Sequence, residues 1–206
     1  MNLVEVIGPS SDLVTIPEAR AQCRIPELPG GDPETDALLA RYIRAARQYV
    51  EWRTGRTLLR TRWRLAAESW PDGRRFMLPR ATPLIDVIQA VWHDDAGAEH
   101  SFADLVTLDT DGEPGALVLK PGASWPSAAM RASSPIVVVY DAGLDDASPE
   151  PSVLAAARQA ILLIVAAMYE NREAETVTNL ATAEAASMRY GVESFLALLS
   201  VDHAIR

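Results

Sequence analysis

With three histidines in 206 residues, metal chemistry has one place to occur, the run His93-Asp94-Asp95 with His100, where imidazole and carboxylate donors fall close together. That run spans Asp94-Asp95-Ala96-Gly97, the composition of a hairpin connection, and it reads as a solvated turn rather than a metal site. There is no Gly-x-Ser-x-Gly nucleophile elbow, no Walker-type or Rossmann glycine pattern and no Cys-His pairing. Asp145-Asp146, between Gly143 and Pro149, read as helix-flanking charge in a loop, with general acid/base work the remote alternative. The expectation is a chain with no catalytic residue, metal or cofactor, and therefore not an enzyme.

Arginine is the residue type that stands out. The chain has eighteen Arg against Lys120 alone, and eight of them fall between Arg41 and Arg64 with a single acid, Glu51, in the same window. The overall skew is what a G+C-rich coding sequence gives; the local excess needs its own account. As a nucleic-acid face it would hold phosphates through Arg44, Arg60, Arg62 and Arg64, although Trp52 and Trp63 show no stacking pattern tied to them. As a protein interface, Arg41, Arg44, Arg60, Arg62 and Arg64 would meet acids on a neighbouring copy, since the chain carries a net charge of −9. The interface reading is preferred, because an acidic chain gains little whole-surface attraction to DNA or to an anionic membrane.

The elements that position these residues follow from periodicity. Pro151 to Arg172 is apolar nearly all round and is expected to be the central, buried helix; Arg158 and Gln159 interrupt it before the ~20 apolar residues of a membrane span. Thr15 and Glu18 form a capping-box signature for a short helix over Ile16 to Cys23, with Cys23 on its inner face. Asp32 as N-cap, Pro33 as first residue and Gly55 as stop define a helix over Pro33 to Thr54. Its apolar stripe runs through Leu38, Leu39, Tyr42, Ile43, Ala46, Tyr49 and Val50, and Arg41, Arg44, Gln48 and Glu51 lie opposite.

From Thr57 the period changes to two. Leu59, Thr61, Trp63 and Leu65 take one face of a strand and Arg60, Arg62 and Arg64 the other. Further strands are expected at Arg75 to Leu78, Ile85 to His93, Leu105 to Leu108, Ala116 to Lys120 and Ile136 to Tyr140, the last as the central strand. Glu173 to Met188 lacks an apolar stripe and reads as a loop or weak helix. Val192, Phe195, Leu196 and Leu199 then form the apolar face of a short helix after Gly191. The fold class expected is α+β: a helical body of two long packed helices plus short terminal helices, with an inserted antiparallel β-sheet or small sandwich over 57–140. One domain is expected over 1–190, followed by a terminal segment, 191–206.

Composition agrees with a folded chain, 49% hydrophobic and 23% charged. Cys23 is the only cysteine, so no intrachain disulfide is possible, and the N-terminus lacks the layout of a signal peptide; synthesis in a reducing cytoplasm is expected.

Read in order, several pieces resemble one family: Val14-Thr-Ile-Pro-Glu-Ala-Arg20, Tyr49-Val-Glu-Trp-Arg-Thr-Gly-Arg56, Leu119-Lys-Pro-Gly-Ala-Ser-Trp-Pro126, Val138-Val-Tyr-Asp-Ala-Gly143, Gln159-Ala-Ile-Leu-Leu with Tyr169-Glu-Asn-Arg-Glu173, and Tyr190-Gly-Val192 with Leu198-Leu199. Together they are similar to the head-tail connector (adaptor) proteins of long-tailed phages, prophages and gene transfer agents. The sequence departs from that pattern at Asp141 and over Glu175 to Met188. The resemblance implies a structural protein of a virion or phage-like particle. It implies a dodecameric ring of copies of this chain between the portal and a head-closure (stopper) or tail protein, with DNA passing through the channel unbound and no membrane involved. In that setting Val192, Phe195, Leu196 and Leu199 are the expected portal-docking residues, too short a helix to be stable unless buried. A DNA-binding packaging accessory that uses the Arg41–Arg64 face is the alternative.

Overall fold

A computed structural model describes residues 1–26, 28–144, 152–170 and 183–200, the side chains of the last helix from residue 191 onward. The chain divides into two compact units, Met1–Pro9 with Gly55–Asp146, and Ser10–Thr54 with Ala147–Arg206.

The first unit is built of strands. Among the described residues these are β1 (Asn2–Ile7), β2 (Thr61–Ala67), β3 (Arg75–Met77), β4 (Leu84–His93), β5 (Glu99–Ser101), β6 (Val106–Asp109), β7 (Ala116–Leu119) and β8 (Ile136–Ala142). They form a five-stranded sheet in the order β1-β2-β8-β4-β5 and a three-stranded sheet in the order β3-β7-β6, every pairing antiparallel. Period-two alternation on β2 sends Trp63 and Leu65 into the core with Ile136, Val138 and Tyr140 of β8, Phe76 of β3 and Leu117 of β7. Trp70 and Trp125 stack at 5.1 Å over that core, Trp125 coming from the Leu119–Pro126 motif. Burial raises the pKa of the Tyr140 phenol above its ordinary value of 10, and its hydroxyl donates to the carbonyl of Pro79.

The second unit is helical: α1 (Ile16–Gln22), α2 (Pro33–Thr54), α3 (Ser152–Glu170) and α4 (Ala183–Leu199). The capping box forms as its residues dictate, the Glu18 backbone donating to Thr15 Oγ1 at 3.4 Å and the Thr15 backbone to Glu18 Oε2 at 2.7 Å. Leu39, Ile43 and Val50 of α2 and Leu154, Ala157, Ile161 and Val165 of α3 are buried, and α2, α3 and α4 pack on one another. Long enough and apolar enough to cross a membrane by composition alone, α3 instead carries Arg158 in an ion pair to Glu18 at 2.9 Å. Two more ion pairs tie the helices, Arg20 of α1 to Asp36 of α2 at 2.7 Å and Arg53 of α2 to Glu193 of α4 at 3.1 Å. Cys23, expected on the inner face of α1, is half-buried at its C-cap.

The expected helical body of two long packed helices with a β insertion is overturned. The body is sheet-rich, eight strands in two antiparallel sheets, beside four helices of 7 to 22 residues among the described residues. The apolar run of α3 dominates the sequence because it is continuous, whereas short half-buried strands each give a weak period-two signal. The strands expected from sequence do not include β1 or the three-residue β5. The last helix also starts at Ala183, before the expected Gly191, within the stretch read as a loop or weak helix. The expectations for Asp145-Asp146 and for 173–182 lie outside the described residues.

Candidate functional site: the arginine-bearing faces

The eight arginines of the Arg41–Arg64 window do not share one surface. They lie on α2, on the connection after it and on β2, and their fates differ.

On β2, strand register places Arg62 directly opposite Asp141 of β8. Arg62 donates side-on through Nε to Oδ1 at 2.7 Å and through Nη2 to Oδ2 at 2.9 Å, and Arg60 adds Nη2 to Oδ2 at 3.2 Å. Asp141 is only 3% exposed, so its carboxylate is desolvated and is held charged by two guanidinium groups. Its pKa lies below the ordinary 3.8, first because of the Arg62 hydrogen bond and then, against the opposing effect of burial, because of Arg60. Asp141, where the sequence departs from the family pattern, is thus the acid that neutralises the strand face.

The local backbone makes this possible at Gly143. Its φ is 109°, and a Cβ there would lie 2.4 Å from the carbonyl oxygen of Leu59, so only glycine lets the end of β8 pass this close to the chain entering β2. Leu144 then donates to the carbonyl of Leu58 and Arg60 to that of Leu144, which fixes the arginines beside Asp141.

Other arginines of the window are also spent. Arg56 pairs with Glu113 at 2.8 Å, and Arg53 with Glu193 as described. Arg47 and Glu51, one turn apart on α2, are both buried and pair at 3.3 Å. Glu51, expected on the solvent face, therefore lies inside, while Tyr49 and Trp52 of the expected stripe and motif are exposed. Arg41, Arg44 and Arg64 form no ion pair among the described residues; the first two are exposed on α2, and Arg64 is half-buried on β2.

Sequence reasoning missed these neutralisations because three of the four acids, Glu113, Asp141 and Glu193, lie far along the chain. The one signal available was the antiparallel register that a β2–β8 pairing would impose on Arg62 and Asp141.

The residues of the C-terminal face also separate. Leu196 and Leu199 are buried, 2% and 1% exposed, on a helix that packs against α3 and α2; Val192 and Phe195 are half-buried; Leu198 is 75% exposed. Leu196 and Leu199 thus obtain burial within their own unit. The metal candidates are built as a hairpin. His100 of β5 stacks on Trp92 of β4 and bonds Asp94 at 2.8 Å, His93 lies 3.7 Å from Glu99, and no group of three or more donors suited to a metal occurs among the described residues.

No family model and no curated protein matches the chain by sequence. Solved structures do. The neck of an empty gene transfer agent (GTA) particle, computed with C6 symmetry, contains a chain similar to this one with a TM-score of 0.78 and 27% identity, covering 100% of this chain and 98% of that one. A chain of the native GTA virion matches with 0.75 and 27%, and one of the native GTA neck, computed with C12 symmetry, with 0.70 and 28%, at the same coverage. A likeness that spans both the strand unit and the helical unit, at that identity, bears out the resemblance that the ordered sequence motifs carry: this chain is similar from end to end to neck components of gene transfer agent particles.

Proposed function

We propose that the protein is a structural adaptor that forms a ring between the portal and the next neck or tail component of a phage-like particle. The observation that carries this reading is the whole-length likeness to neck chains of GTA particles, one of them in a neck computed with C12 symmetry. A ring of twelve copies around the DNA channel is the assembly proposed, by analogy with that symmetry. The role needs no catalytic group: the protein holds position by surfaces that meet neighbours.

The charge geometry supports the structural role over the DNA-binding alternative. Phosphate binding through Arg60 and Arg62 would have to displace Asp141, and Arg47, Arg53 and Arg56 have acid partners of their own. A channel protein gains from this, because DNA that must slide is not gripped by cations already satisfied inside the subunit. Arg41, Arg44 and Arg64 remain for contacts with neighbouring subunits. For docking on the portal, α4 offers Leu198, with Val192 and Phe195 beside it, while Leu196 and Leu199 hold the helix to its own unit.

The test is the mass of the purified protein with and without its portal protein. The reading expects a monomer or weak oligomer alone and a defined ring on the portal; a chain that leaves the portal's mass unchanged overturns it. A salt titration of duplex-DNA binding addresses the alternative, which requires a steep loss of affinity with salt.

A further inference from the structure

The five-stranded sheet ends in two open edges of different character. At one end β1 pairs with β2 alone among the described residues, which leaves its outer backbone groups without a strand partner there. Ten large apolar side chains are exposed among the described residues, and Met1, Val4, Val6 and Ile7 are four of them, so this edge carries the densest such patch in the sequence. At the other end β5 is short and wholly exposed, and it continues a hairpin bearing Asp94, Asp95 and Glu99. A cation with no ion pair among the described residues lies at the β1 end: Arg64 stands opposite Val4 in the register.

Edges this apolar are usually covered or blunted, since unpaired strand groups recruit any compatible strand. The occupant is constrained by geometry. Pairing of β1 with the β1 of another copy would be isologous and would stop at a dimer, whereas a ring needs two different patches that repeat head to tail. The two ends of one sheet are such a pair, one apolar with an unpaired arginine and the other acidic.

We propose that adjacent copies join edge to edge, β1 of one copy adding to β5 of the next, with Arg64 facing the acids Asp95 and Glu99 of that neighbour. The inference rests on the ring reading above and names its contact. A three-residue β5 gives few backbone hydrogen bonds, so the joint is weak between free copies and becomes stable when a portal aligns many of them. Val4, Val6 and Ile7 supply the apolar part of the contact, and Arg64 sets its direction.

The test uses the full chain in a Cys23→Ser background, assembled on portal. Val6→Cys combined with His100→Cys, treated with a short bifunctional maleimide, is expected to give a ladder of covalent multimers on a denaturing gel, while either cysteine alone gives none. In parallel, Val4→Lys/Val6→Lys is expected to keep the melting curve of the unsubstituted chain and to weaken ring formation at least about tenfold. Arg64→Glu is expected to do the same and to be rescued by Glu99→Arg. A ring of unaltered mass with no ladder, or one that Val4→Lys/Val6→Lys leaves intact, overturns the edge contact and leaves the ring reading standing. Failure of the unsubstituted chain to form a ring on portal overturns both.

Discussion

Two faces rich in arginine, one on β2 and one on α2, look alike in sequence and differ in physics. At β2, Arg62 and, one residue before the strand, Arg60 converge on a single desolvated carboxylate, Asp141. On α2 the helix period divides the arginines, so that Arg47 turns inward to Glu51 and Arg41 and Arg44 face water. A count of cations within a window therefore says little about basic surface until the long-range partners of each are known.

The comparison breaks most visibly at the buried pair of α2. Glu51→Ala strands Arg47 without its acid and is expected to cost about 3–5 kcal/mol in denaturant unfolding, whereas Arg47→Met with Glu51→Leu recovers most of that loss. An equal loss in the double variant would show that burial of the site, not the pair, is what matters. Leu196→Ala on α4 is expected to cost about 2–5 kcal/mol, as a fully buried leucine does, with Leu198→Ala near neutral. If the two changes cost the same, the inward packing of α4 is wrong.

On β2 the expected effect is on pH and on ligand binding. Asp141 has a folded pKa below its ordinary 3.8, so its contribution is fully present above that value and is lost as pH falls through the folded pKa. Asp141→Asn is expected to lower the melting temperature at neutral pH and to flatten its fall on the acid side. It also releases Arg62, and duplex-DNA binding should then gain a salt dependence of about one phosphate contact. A variant with the acid profile of the original and no gain in DNA affinity would contradict the clamp. Smallest of all, Arg41→Ala and Arg44→Ala are expected to shift stability by less than about 0.5 kcal/mol, since neither side chain has an ion pair among the described residues.

These contrasts also mark what the sequence made legible. Local chemistry was readable: the Thr15–Glu18 box, the Pro33 start and Gly55 stop of α2, and the alternation of β2 all lie where residue types put them. The family resemblance was readable for the same reason, because its motifs are fold-setting residues such as Arg20, Tyr140 and Gly143. Properties set by distant partners were hidden. Asp141 stood out in sequence only as a departure, since its meaning depends on a strand pairing across 79 positions. The weight of the sheet was hidden too, because β1 and β5 carry no pattern strong enough to outweigh a continuous apolar helix.

A cryo-electron microscopic reconstruction of the neck of particles that carry this chain tests the central claim most directly. The account predicts a closed ring of copies of this chain around the DNA channel, seated on the portal, with Arg60 and Arg62 still bound to Asp141 of their own subunit. Particles whose neck lacks the chain, or in which those two arginines have left Asp141 for DNA phosphates, would contradict it.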